Sequence, residues 1–343
     1  MVKRTVTFFL HILSVALLTS CSMVGDDYQR VQNIPMLGTT LSIIADIHAD
    51  SIPSLLEAIE EVDTHMKAQM SIFDPNSLVS RINRGETDSL TADMIYNIRL
   101  ADSVSRVSEG FYDITVMPLV EAWGFARKEA EAEPNIDSLL EFVGHTKISI
   151  KDGRLVKKDP RIKLDFNSIA KGYTVDCLAQ RVADMGATNY LVDIGGEINC
   201  QGVNPRGKAW RVGVESPIDG NMSDGEYLQK RIDIAPESPL RGVATSGNYR
   251  RFYLSEDGQK IAHTINPSTG RSQTSTLLSA TVLASSCALA DAYATMFMAA
   301  GGFNAMILCK EIEGIEVYFI FSGNENVEYR EYMTPGLESM LSK

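Results

Sequence analysis

Residues 163–176 read KLDFNSIAKGYTVD, and the chain runs on as CLAQRVADMGATNYLVDIGGEIN to residue 199. Val175, Leu178, Val182 and Met185 recur at the spacing of one helix face, and Gly186 follows as a C-cap. NYLVDI then reads as a strand, Gly195-Gly196 breaks the chain, and AWRVGVES reads as a second strand. The same stretch crowds Asp165, Lys171 and Asp176 around the helix start. Such a cluster has two readings. One is a capped helix with a solvated, charged end. The other is a phosphate or nucleotide site, because free backbone N–H groups and the helix dipole favour anions there.

The flanking sequence sets the fold class. TTLSIIADI (39–47) alternates like a strand, and residues 51–70 carry Leu55, Ile59, Val62 and Met66 at helical spacing with Pro53 in the first turn. A second helix opens at Thr91 and stops at Gly110. The acidic run RKEAEAEPNID (127–137) and the loop PIDGNMSDGEY read as surface segments. GVATSGNYRRFYL has the form of strand, tight turn and strand; LLSATVLA is a strand, SCALADAYATMFMAAGG a helix and IEVYFIFS a late strand. Strands with interleaved helices and hairpins predict an α+β fold and not a regular βαβ alternation.

The 343 residues suffice for one large domain or two moderate ones with a sizeable core. Net charge is -12, and no Lys/Arg block stands out, which argues against a nucleic-acid partner. At the N-terminus MVKR precedes the apolar run TVTFFLHILSVALL and the small residues TSC. The run is shorter than the roughly 20 residues of a membrane span, so residues 1–20 read as a signal peptide. LLTSC has the pattern of a bacterial lipobox, which makes Cys21 the lipidated residue, 21–34 a tether and 35–343 the folded domain; ordinary secretion is the alternative. The expected location is the bacterial cell envelope, on a periplasm-facing membrane. Cys177, Cys200, Cys287 and Cys309 show no CxxC spacing and read as buried thiols.

Three segments carry candidate chemistry. In ADAYAT, Asp291 and Thr295 lie four apart on a helix, so a carboxylate and a hydroxyl share one face. That pair suits a hard cation such as Mg²⁺. A solvated helix Asp is the plain alternative, and the small apolar neighbours weaken it, since an unpaired buried charge is costly. In HTINPSTG (263–270), His263 has a side chain able to accept a proton near neutral pH; a histidine buttressing a hairpin is the equal alternative. ATSGNYRRF offers Thr245, Ser246 and the Gly247 backbone at a turn, as an anion lining or as a plain hairpin. Phe73 and the aromatics before Asp113 are of a type that stacks on flat rings, and also of a type that fills cores. Gly195-Gly196 is no Rossmann fingerprint, and no GxxxxGK[ST] loop is present.

Taken in order, LGTT, SIFDPNSLVSRIN, GFYDITVMPLVEAWGF, LDFNSIAKGYTVD, LVDIGGEI, ATSGNYRRF, HTINPSTG and TVLASSCALADAYAT resemble the FAD:protein FMN transferase family, the ApbE-type flavin transferases. The resemblance spans nearly the whole mature chain. It implies a T-fold-like architecture of two related α+β halves, with mixed or antiparallel sheets flanked by helices and a flavin site between the halves. It further implies FAD contacts at Leu37 (where a Met is usual), Phe73 (where a Tyr is common), Phe111, Tyr112, Asp113, Asp165, Lys171 and Ile265. The family's magnesium ligands fall on Ser168, through its carbonyl, Asp291 and Thr295. Ala294 stands where some members add a carboxylate, and Asn266 replaces the Asp of the HxxDP turn. The implied reaction is Mg²⁺-dependent cleavage of the FAD pyrophosphate, with transfer of FMN to a Thr or Ser hydroxyl of an acceptor flavoprotein and release of AMP. The implied acceptor is a subunit of a membrane redox complex. Lys171 is the expected phosphate clamp and His263 the expected base. An FAD pyrophosphatase and a non-catalytic, membrane-tethered flavin binder are the competing expectations.

Overall fold

The computed structural model describes residues 28–126, 134–218, 228–249, 252–254, 260–273, 275–324 and 327–342; the signal-peptide reading and Cys21 lie outside them. Its centre is a sheet of eight strands: β1 (Gln29–Met36), β2 (Thr39–Ala45), β3 (Tyr190–Ile194), β4 (Glu197–Gln201), β5 (Gly242–Gly247), β6 (Leu277–Ala284), β7 (Glu316–Asn324) and β8 (Val327–Met333). They lie side by side in chain order, and every neighbouring pair is antiparallel. The segment between β2 and β3 contains helices α1 (Ile52–Met70), α2 (Ala92–Val107) and α3 (Ala170–Asp184), and α4 (Cys287–Glu311) joins β6 to β7. Each half of the sheet is thus two antiparallel strand pairs with a helix leading into the third strand, α3 into β3 and α4 into β7. The mixed α+β class read from the sequence is the class observed.

Alternation along the strands builds two cores. Val317 and Phe319 of β7, Val282 of β6 and Ala244 of β5 pack with the helices. Their sequence neighbours Tyr318, Ile320, Leu283 and Val243 point through the sheet to Trp210, Val212, Ile232 and Ile234, which belong to a separate hairpin. A two-residue period in strands buried on both faces produces this split. Helix α4 has the length and hydropathy of a membrane span, but 72% of its most apolar window is buried in the protein. It is apolar all round because the sheet and α3 enclose it.

The first turns of α3 and α4 meet and cap one another. Asp176 of α3 accepts hydrogen bonds from the backbone N–H groups of Cys287 (2.9 Å) and Ala288 (2.8 Å) of α4. Asp291 of α4 accepts in return from the Gly172 N–H of α3 at 3.0 Å. Ser286 completes the α4 cap, its hydroxyl accepting from Leu289 N–H and its carbonyl from Ala290 N–H. The N–H groups of Cys287, Ala288 and Leu289, which the helix ladder leaves without partners at the α4 start, are therefore all satisfied. The crossing is too close for a side chain at residue 172, where a Cβ would lie 2.4 Å from the Cys287 carbonyl oxygen.

Gln29–Met36 belongs to the sheet and not to a tether; its irregular pattern reflects an edge strand whose register shifts between Val31 and Ile34. Strands β4 and β8 lie where the sequence shows no clean apolar alternation. GVATSGNYRRFYL is not a hairpin: β5 pairs with β4 and β6, whereas Phe252–Leu254 pairs with Lys260–Ala262. Thr245, Ser246 and Gly247 consequently end a strand and do not form a turn. The four cysteines are free thiols, three of them buried.

Gly172→Ala is expected to cost about 1–3 kcal/mol by overpacking the helix crossing. Urea denaturation of the variant against the parent measures it; an unchanged midpoint would contradict the close approach.

Candidate active site

A cavity of about 120 Å³ opens where the start of α3, the middle of α4 and the 263–267 loop converge. Its walls include Phe111, Tyr112, Asp113, Asp165, Ser168, His263, Ile265 and Thr295. These residues come from four distant stretches of sequence, and backbone pairing brings the first two together. Residues 112–116 run beside 163–166, with Val116 bridged to Lys163 and Asp165 N–H donating to the Ile114 carbonyl at 2.8 Å. The Asp165 carboxylate accepts from Asn167 N–H at 2.8 Å and turns the chain into α3. Ser168 then donates its hydroxyl to the Tyr112 oxygen at 2.9 Å. Burial pushes the Tyr112 phenol well above its ordinary range, so it keeps its proton at any working pH.

Asp113 is partly occupied by local structure. Its Oδ1 accepts from both the backbone N–H (2.8 Å) and the hydroxyl (2.6 Å) of Thr115, and burial raises its pKa. His263 stands edge-on to the Phe125 ring, with centroids 6.4 Å apart. In the turn beyond it, the Asn266 side-chain oxygen accepts from Ser268 N–H (2.9 Å) and Thr269 N–H (3.3 Å). An amide oxygen serves that turn as well as a carboxylate, without adding charge beside His263.

On α4, Thr295 Oγ1 lies 3.2 Å from Ser246 Oγ. One turn earlier, Asp291 is only 5% exposed. Burial and the nearby Glu197 charge raise its pKa to about 8, against the opposing effect of Lys171 and the Gly172 N–H. A carboxylate held in such a place is a site for positive charge. With the Thr295 hydroxyl one turn on, and the Ser168 carbonyl at the α3 entry, the donors are hard oxygens, the type a small divalent cation takes. Among the described residues no group of three or more His, Cys, Asp or Glu is arranged to hold a metal. A site with one carboxylate, one hydroxyl and one carbonyl falls outside that kind of cluster.

Other expected residues are not cavity walls. Thr245 points through the sheet, where its hydroxyl meets Thr281 Oγ1 at 2.8 Å. Strand alternation separates it from Ser246 and removes it from the anion lining. The Tyr249 ring lies over Gly247. Leu37 occupies the β1–β2 turn in a left-handed conformation, φ 49°, and Phe73 is 50% exposed in the turn before the short helix Leu78–Asn83. Lys171 forms an ion pair with Glu197 at 2.5 Å. Glu197 is not among the residues that the sequence points to. Its one sequence signal is an acid placed directly after Gly195-Gly196 at the head of a strand.

The sequence profile of the ApbE family matches residues 37–319. An FAD:protein FMN transferase of Vibrio cholerae is 32% identical over 321 residues, covering 90% of this chain and 92% of that protein. One from Haemophilus influenzae is 33% identical over 276 residues, 77% of each. Among solved structures, the flavin transferase ApbE of Vibrio cholerae superposes with a TM-score of 0.76 at 29% identity, covering 92% of this chain and 99% of that one. The apo flavinyl transferase ApbE of Pseudomonas stutzeri gives 0.79 at 27% identity, with coverage of 93% and 98%.

The Asp291 carboxyl has a folded pKa of about 8 against an ordinary 3.8, so it binds its proton more tightly folded than unfolded. Its contribution to stability is complete below the unfolded value and is lost as pH rises through the folded one. In chelator, the melting temperature is expected to fall between about pH 4 and about pH 8, and Asp291→Asn to flatten that fall. Parallel curves for parent and variant would refute the assignment.

Proposed function

The chain belongs to the ApbE family, and we propose that it is an FAD:protein FMN transferase that moves FMN from FAD to a Thr or Ser hydroxyl of an acceptor flavoprotein, with Mg²⁺ bound and AMP released. The observation that carries this reading is the single cavity lined by Tyr112, Asp165, Ser168, His263 and Thr295, with Asp291 one turn below Thr295 on α4. A site built to bind flavin passively has no need of a buried carboxylate one helical turn from a hydroxyl in its wall.

Asp291, Thr295 and the Ser168 carbonyl would hold the magnesium ion, which when bound supplies positive charge to a pyrophosphate as its bond breaks. The remaining work falls to the chain. His263 takes the proton of the acceptor hydroxyl at a ring nitrogen. The acceptor oxygen forms its bond to the FMN phosphorus, the bond from that phosphorus to the bridging oxygen breaks, and the electron pair leaves with AMP. Tyr112, which keeps its proton, is a hydrogen-bond donor available inside the cavity, and the apolar walls from Val116, Val120 and Phe125 limit water there. Leu37 and the exposed Phe73 ring belong to the flavin contacts of this reading. Export, lipid attachment at Cys21 and an acceptor in a membrane redox complex are part of the proposal and rest on the sequence.

Incubation with FAD, Mg²⁺ and an acceptor peptide carrying a D-x-x-[ST] segment is expected to give covalent peptide fluorescence. Free FMN with AMP would instead mean a hydrolase, and intact FAD a binder. Asp291→Ala is expected to abolish metal-dependent turnover with the fold retained. His263→Gln should slow transfer by about 10²–10⁴-fold, and an unchanged rate would remove His263 from the chemistry.

A further inference from the structure

We propose that Glu197 is a positioning residue for this site, holding the Lys171 ammonium beside Asp291 so that the pair sets the charge met by the divalent cation and by the pyrophosphate. The inference rests on the reading of the site as a nucleotide-cleaving one, and it adds a residue that the family resemblance did not bring forward.

Glu197 is the first residue of β4, reached through the left-handed glycines 195 and 196 (φ 61° and 99°). Its neighbours Ile198 and Cys200 face the hairpin core, so Glu197 faces the helices. Its side chain is 4% exposed, and the Lys171 Nζ lies 2.5 Å from its Oε2. A carboxylate that buried requires a counter-charge, and an ion pair this enclosed is weak evidence for a stabilising role. Hydrophobic residues would stabilise the same spot as well. Its location is the informative feature.

Lys171 sits in the first turn of α3, and the next residue, Gly172, gives its N–H to Asp291 at 3.0 Å. Asp291 experiences both members of the pair, Glu197 opposing its charge and Lys171 supporting it. When Asp291 gives up its proton to a cation, two carboxylates share one ammonium, and the arrangement then carries a net negative charge next to the Thr295 hydroxyl. A divalent cation entering at Asp291 is attracted by Glu197 and repelled by Lys171. A pyrophosphate needs the reverse, and Glu197 draws the ammonium away from it. The ion pair therefore balances metal affinity against phosphate affinity, and each half has a predictable sign.

The test measures binding on the purified full chain, by titration calorimetry with Mg²⁺ alone and with ADP in chelator as the phosphate probe. Glu197→Gln is expected to weaken Mg²⁺ binding about tenfold and to leave ADP binding equal or tighter. Lys171→Met is expected to tighten Mg²⁺ binding and weaken ADP binding. A merely structural role for the pair would lower both affinities in both variants, and that result would overturn the proposal, as would unchanged Mg²⁺ affinity in Glu197→Gln. If Glu197→Gln fails to fold, Lys171→Met decides, because damage to the fold does not tighten metal binding. A parent protein that binds neither Mg²⁺ nor ADP would overturn the reading of the site and this inference with it; a parent that binds both, with variants that do not follow these signs, would overturn this inference alone.

Discussion

Two helices exchange carboxylate caps at the centre of this protein, and the rest of the structure is arranged around that exchange. Asp176 ties down the first N–H groups of α4, and Asp291 ties down an N–H of α3. Each half of the sheet contributes one helix, so the bonds that cap the helices also lock the halves in register. The Asn199 amide of β4 donates to Asp176 at 2.7 Å and extends the lock into the sheet. Gly172 makes the approach possible, because no other residue leaves room for the Cys287 carbonyl. Burial raises the pKa of both aspartates. The compensation differs. Asp176 has three donors against it, whereas Asp291 has a single N–H and an ammonium, Lys171, that it shares with a neighbouring acid.

That difference separates structure from chemistry. Asp176 is satisfied and acts as a cap. Asp291 is under-compensated, faces Glu197, and sits one turn from a hydroxyl that lines the cavity. Rigid placement on α4 holds Asp291 and Thr295 in a fixed relation, which a loop would not provide. The cavity itself lies beside the kink of α4 at Gly301, φ 77°, where a Cβ would strike the Gln273 side chain. Gln273 N–H in turn bonds the Thr264 carbonyl at 2.9 Å, next to His263. The break in the helix and the histidine loop therefore meet at Gln273.

Much of the site was legible because its signals are local. Asp291 and Thr295 share a helix face by spacing alone, His263 stands in one short polar turn, and Asp165 marks the entry to α3, whereas Ser168 and Ile265 follow only from the family resemblance. The α3 stripe, the Thr91 start of α2 and most of the sheet strands were equally readable, since period and caps are properties of short windows. Strands β4 and β8 escaped because EINCQ and VEYREYM lack a clean apolar alternation; one is buried on both faces and the other is a polar edge. Thr245 was grouped with Ser246 by adjacency, and the pleat put them on opposite faces.

The sequence by itself determined the α+β class, the helix faces, the family and most of the cavity walls. Periodicity, caps and ordered motifs act over distances a reader of the chain can scan. Tertiary structure alone decided the charge arrangement. It paired Lys171 with Glu197, committed Asp176 to an N-terminus 111 residues away, and left Asp291 under-compensated. In KLDFNSIAKGYTVD the charges look like one cluster. Folded, they act separately, because a charge takes its role from the partners and the dielectric around it, and those are supplied by strands and helices far along the chain.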